Sequence, residues 1–160
     1  MRILLTKLTN DRHALEIVRA DGSKDRVEVE TKSLWLHDLV HFAVEAEAGL
    51  QDGFWGSLAA GKTMAEMNDR TGEGMKEYAG PMLTIEMLVG AMTGALNGVP
   101  LDAVVTNIRG YLESAGKGDA FPAWLTPEYV ARVRERLRKL VGHWNGTPFG
   151  ETMELDWTGK

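Results

Sequence analysis

A chain of 160 residues with 44% apolar and 26% charged residues has the length of one domain and can bury about two-thirds of its unfolded surface, which excludes a disordered chain. The absence of cysteine excludes a disulfide framework, a thiolate metal site and a cysteine nucleophile, so a bound metal would need His, Asp or Glu ligands. The formal net charge of −5 opposes wholesale attraction to nucleic acid or anionic lipid.

The N-terminus carries three apolar residues, Ile3-Leu4-Leu5, before Thr6-Lys7, too few for the apolar centre of a signal peptide. No run approaches the roughly 20 apolar residues of a membrane span. A cytoplasmic protein without membrane or nucleic-acid partners is expected. Residues 2 to 31 alternate with a period of two, through Ile3 and Leu5, Leu15 and Ile17, and Val27 and Val29. This pattern predicts a small antiparallel sheet, with Asp21-Gly22 turning a hairpin between the second and third strands.

After Thr31-Lys32-Ser33 the period becomes helical, with Ser33 as the expected N-cap of a helix ending near Gly49. A second helix is predicted from about Trp55 to Asn68, then a loop from Arg70 to Pro81. Ile85, Leu88, Val89, Met92 and Leu96 mark a strongly apolar helix ended by Gly98-Val99-Pro100. Gly90, Gly94 and Gly98 recur along its side, a spacing that predicts a neighbouring backbone passing close by. A further helix is predicted from Leu101 to Ala115. Thr126-Pro127-Glu128 then opens one that runs to Gly146. Met153, Leu155 and Trp157 alternate with polar residues and predict a strand returning to the N-terminal sheet.

The expected fold is therefore α+β and a single domain over 1–160: a β-sheet part at 1–32, a helical part of four to five helices at 33–146, and a return strand at 150–157. The most informative segment lies in the first helix, where His37, Asp38, His41 and Glu45 share one narrow stripe opposite a broad apolar arc. No Lys or Arg occurs from Ser33 to Gly61, so the local field favours a cation. His37 and His41 stand four residues apart, a spacing that lets two imidazoles grip one divalent transition-metal ion. Glu45 lies roughly 12 Å from His37 along the helix axis, so Asp38 and Glu45 are better suited to orienting an imidazole than to sharing the ion. A third ligand must come from elsewhere. The competing reading is a half-exposed helix whose solvent stripe carries two histidines and two acids.

Leu36-His37-Asp38-Leu39-Val40-His41 resembles the His-Asp dyad of the HD-type metal-dependent phosphohydrolases and the H-D-x-x-H motif of the coenzyme Q biosynthesis family. Each resemblance covers six residues or fewer and implies a metal at the histidines. The phosphohydrolase pattern places a further His on a preceding helix, whereas His13 falls in a predicted strand. The coenzyme Q pattern places a Glu after eleven intervening residues, where this chain has Gly53.

Gly56-Ser57-Leu58-Ala59-Ala60-Gly61-Lys62-Thr63 matches the phosphate-loop pattern G-x-x-x-x-G-K-[ST]. The turn residues Asp52-Gly53 precede it in place of a buried strand, so no nucleotide is expected, and Gly56 and Gly61 are read as packing positions. The arginines between 132 and 138 with Lys139 read as a solvated helix face. Two functional readings follow. One is a His/carboxylate divalent-metal site serving hydrolytic or cofactor-handling chemistry. The other is a non-enzymatic, partner-binding or self-associating domain that uses the Trp, Phe and Met residues near 54 to 82 as its contact surface.

Overall fold

The computed structural model describes residues 1–68, 81–96 and 98–158. Four strands, β1 (Arg2–Lys7), β2 (Arg12–Val18), β3 (Lys24–Glu30) and β4 (Thr152–Asp156), form one antiparallel sheet of order β3-β2-β1-β4. Among the described residues the helices are α1 (Thr31–Ala48), α2 (Phe54–Ala59), α3 (Met64–Asn68), α4 (Pro81–Leu96), α5 (Leu101–Ser114) and α6 (Pro127–Gly146), with one 3₁₀ turn at Gly118–Ala120. The architecture is α+β, and among the described residues no helix is long and apolar enough to cross a membrane.

The alternation seen in the sequence sets the two faces of the sheet. Ile3, Leu5, His13, Leu15, Ile17, Met153 and Leu155 are buried, while Arg2, Arg12, Arg26, Glu28 and Glu154 face solvent. The β2–β3 hairpin turns at Gly22, whose φ of 84° lies in the left-handed region that glycine adopts without strain, and the Asp21 carboxylate accepts from the Ser23 N–H. The helices cover the inner face. Leu39, Val40, Phe42, Ala43 and Val44 of α1 join Ile85, Leu88 and Met92 of α4 and Val130, Val133 and Leu137 of α6 in one core. Tyr129 on α6 ties that layer together by donating its hydroxyl proton to the Val44 carbonyl, at 2.8 Å.

Several boundaries differ from the sequence expectation. Helix α1 begins at Thr31, directly after β3, with Glu30 as an N-cap that makes no side-chain cap bond. The Thr31 N–H is held by the Asp11 carbonyl, so a tertiary hydrogen bond replaces the side-chain cap expected of Ser33. The single helix expected from Trp55 to Asn68 is split at Gly61, whose φ is 109°. The second piece starts with a capping box in which Glu66 accepts from the Thr63 N–H while the Thr63 hydroxyl accepts from the Glu66 N–H.

Gly90 is exposed, and a Cβ there would meet nothing within 4 Å. Among the described residues no neighbouring backbone passes it, so close packing among them does not account for this glycine. Gly98 serves as the helix terminator, with φ of 96°. The loop expected from Arg70 onward and Met75 lie outside the described residues, as do the surroundings of Met82 and Gly94. The Thr126 cap is formed as expected, its hydroxyl accepting from the Tyr129 N–H.

The terminal strand pairs with β1 in the register Ile3↔Leu155 and Leu5↔Met153, and Trp157 is buried against Phe42. Ending the chain after Gly150 would remove Met153, Leu155 and Trp157 from the core, each worth roughly 1.5–3 kcal/mol, and would bare the edge of β1. The shortened protein is expected to melt at a lower temperature and to aggregate. A melting curve that superimposes on that of the full chain, with no loss of monodispersity, would contradict this role for β4.

Candidate metal centre

Helical spacing on α1 sets His37 and His41 side by side, with ring centroids 4.6 Å apart. Glu86 of α4 faces both. Its Oε1 lies 3.2 Å from His41 Nε2 and its Oε2 lies 3.7 Å from His37 Nε2. His37, His41 and Glu86 are the His/Asp/Glu group among the described residues whose donor atoms come close enough together to hold a metal ion. In a tetrahedral zinc site, donors about 2.0–2.1 Å from the ion stand roughly 3.4 Å from one another, close to the spacings seen here.

The far nitrogen of each ring is also engaged. His41 Nδ1 lies 3.1 Å from Glu45 Oε1. A carboxylate only accepts, so Nδ1 carries a proton and Nε2 is left to face Glu86. Glu45 is fully buried, and its oxygens also accept from the Phe54 N–H at 3.1 Å and the Trp55 N–H at 2.8 Å. Its carboxylate thereby holds the start of α2 against α1. A Cβ on Gly53 would overlap that carboxylate. The position that the coenzyme Q pattern fills with Glu therefore has no room for a side chain here, and the carboxylate of the cluster comes from α4. On the other ring, Asp38 Oδ1 lies 3.8 Å from His37 Nδ1, an ion pair rather than a hydrogen bond.

Burial separates the four residues of the stripe. His41 and Glu45 are inside the protein, Asp38 is half-buried, and the His37 side chain is 44% exposed. The solvent-stripe reading is thus corrected: α2 and α4 cover the polar face of α1, leaving an opening at His37 and Glu86. Charge follows geometry. The Asp38 carboxylate, and after it Glu86, raise His37 to about 9. Burial lowers His41, but Glu45 and Glu86 together outweigh it and leave that ring raised. Glu86 is held well below the usual carboxylate range by His37 first and His41 second.

Glu86 escaped the reading of the sequence. The clue is present, because Glu86 is the sole charged residue in Pro81–Leu96, and a lone acid in an apolar helix needs a partner. His13 does not join the cluster. It sits buried on β2 against the Trp144 ring, with Nδ1 3.3 Å from the Thr31 hydroxyl, and burial lowers its pKa despite the Asp38 charge.

Half of the phosphate-loop match lies within helix. Gly56 to Ala59 belong to α2, the N–H groups of Ala60, Gly61 and Lys62 are bonded to carbonyls of that helix, and Arg19 takes the Leu58 and Lys62 carbonyls. Gly56 is needed because a Cβ would overlap the Gln51 backbone, whereas Gly61 serves the turn. Trp55 and Met64 are core residues, which removes them from the expected contact surface between 54 and 82. The basic face of α6 is partly neutralised, since Arg132 and Arg136 donate to Glu47 at 3.3 and 2.7 Å. No protein-family model, no curated protein and no solved structure matches the chain.

The raised imidazoles make opposite predictions for the empty and the loaded protein. A histidine raised from 6.5 to about 9 contributes stability that is fully present below 6.5 and is lost as pH rises through 9. The metal-free protein is expected to lose melting temperature across pH 6.5 to 9, by more than a His37→Gln variant does. A metal ion held by these rings would have to displace those protons, so any melting-temperature gain on adding metal should grow over the same interval. An identical slope in the wild type and His37→Gln would show that His37 does not carry the effect.

Proposed function

We propose that the chain binds one divalent transition-metal ion through His37 Nε2, His41 Nε2 and the Glu86 carboxylate, and that the ion keeps open positions for water and substrate. The observation that carries this reading is the convergence of two Nε2 atoms on one carboxylate, each ring having its Nδ1 beside a further carboxylate, Asp38 or Glu45. That arrangement supports the outer shell typical of metal-binding histidines, in which a carboxylate fixes the tautomer and raises ligand basicity. Two histidines and one carboxylate suit zinc in hydrolytic sites and ferrous iron in oxygen-handling ones.

The surroundings favour a neutral or cationic substrate. The stretch from Ser33 to Gly61 and helix α4 contain no Lys or Arg, so nothing on these elements would neutralise a phosphate or carboxylate substrate beside the ion. When bound, the metal would act as a Lewis acid and would lower the pKa of its water. The chain's own part is to hold His41 through Glu45 and to leave His37 and Glu86 at the opening. Hydrolytic chemistry at the ion fits this arrangement.

Titration of the metal-free protein with Zn²⁺ or Co²⁺, followed by calorimetry and by the visible bands of Co²⁺, tests the site. One ion per chain is expected. His41→Ala should abolish specific binding, and Glu86→Gln should weaken it strongly while leaving the fold intact. Glu45→Gln should weaken it by about 10- to 100-fold, as the hold on His41 and on the start of α2 is loosened. Unchanged affinity in both His41→Ala and Glu86→Gln would remove the site.

A further inference from the structure

Strand β3 forms one margin of the sheet, and its outer side has no strand partner among the described residues. Its hydrogen-bonding parity follows from its two ends. The Arg19 N–H bonds the Ser23 carbonyl, and the Thr31 N–H bonds the Asp11 carbonyl. With the register Ile17↔Asp25, Leu15↔Val27 and His13↔Val29, the backbone groups of Asp25, Val27 and Val29 point to β2. Those of Lys24, Arg26, Glu28 and Glu30 then point outward, as alternation in an antiparallel ladder requires. The side chains of these same four residues are exposed.

Their order is basic, basic, acidic, acidic, spaced by two. If a second β3 runs antiparallel with a two-fold axis at Val27, Arg26 faces Glu28 and Lys24 faces Glu30 in every outward pair. All of these are hydrogen-bonded pairs, giving up to about eight backbone hydrogen bonds. Moving the axis to Arg26 sets arginine against arginine, and moving it to Glu28 sets glutamate against glutamate. The opposite margin differs, because β4 presents Thr152, Glu154 and Asp156 outward and would repel a copy of itself. Edge strands that avoid association usually carry charge that repels a second copy, whereas the charge on β3 complements its own copy.

We propose that β3 is a self-docking edge: a second copy of this chain adds its own β3 antiparallel about Val27, joining two four-stranded sheets into one closed, two-fold dimer. The interface is isologous, so it saturates at two copies. Within one chain Arg26 contacts Glu16 at 3.5 Å and Glu28 at 3.8 Å, and Glu28 contacts Arg12 at 3.7 Å. These exposed side chains can also reach across the axis. The proposal does not depend on the metal centre.

Sedimentation and light scattering over a concentration series test it on the full chain. A monomer–dimer equilibrium that weakens with added salt is expected. R26E alone, or E28R alone, should raise the dimer dissociation constant by about tenfold, because two cross-axis pairs turn repulsive. The double variant R26E/E28R should return it to within about threefold of wild type, since both cross-axis pairs are restored. Inside each chain the same double variant keeps an opposite-charge pair at 26 and 28 but places a like charge beside Glu16 and another beside Arg12, so its melting temperature should stay below wild type while the dimer affinity recovers. E28P removes one outward N–H while sparing the bonds to β2, and should yield a folded monomer. A protein that stays monomeric into the millimolar range, a double variant without rescue, a dimer indifferent to E28P, or open-ended assembly through β3 and β4 would each overturn the proposal.

Discussion

The Glu45 carboxylate is fully buried, and an uncompensated charge in the interior costs several kcal/mol. Its lone pairs are therefore committed. Two backbone N–H groups at the start of α2 and the Nδ1 of His41 supply the donors, and charge-assisted bonds of this kind are the stronger class. One side chain thus fixes where α2 begins, which tautomer His41 adopts and where His41 Nε2 points. Gly53 completes the arrangement by offering no Cβ where the carboxylate lies. Any larger residue there would have to move Glu45, and His41 would turn with it.

The strands and the start of α6 were legible from the chain because local chemistry decides them. Alternation placed Ile3, Leu15 and Leu155 on one face, Asp21-Gly22 closed its hairpin, and Thr126-Pro127 opened its helix. The histidine pair was legible too, since four-residue spacing on a helix is a property of the backbone. What the chain did not reveal is tertiary. Glu86 stands 45 positions beyond His41 in sequence, and no local pattern says which element an apolar helix packs against. The start of α1 was misread because the donor at Thr31 is held elsewhere, by Asp11 across the sheet. Gly90 was read as a packing position from spacing alone, although α4 leaves it exposed.

Charge is separated by region in a way that matches these readings. Around the histidines the acids Asp38, Glu45 and Glu86 stand without Lys or Arg on the stretch from Ser33 to Gly61 or on α4, so the imidazoles and any added cation are their counter-charges. On the outer face of the sheet both signs alternate, and Arg12, Lys24 and Arg26 are shared among Glu16 and Glu28. Such exposed pairs contribute little to stability. Their value lies in which surfaces they let approach, as with the self-complementary order along β3.

The same distribution explains how the cluster can exist without an ion. The carboxylates beside His37 and His41 favour the protonated form of each ring, and the two rings in turn hold Glu86 below the usual carboxylate range. Exchanging those two protons for one divalent ion leaves two neutral rings, one carboxylate and the ion, so the net charge of the group is unchanged. A metal ion at the cluster would compete with those protons for a position whose surroundings the buried Glu45 carboxylate already sets. The binding energy of such an ion would therefore not be consumed in ordering α1 against α2, which is what a preorganised site requires.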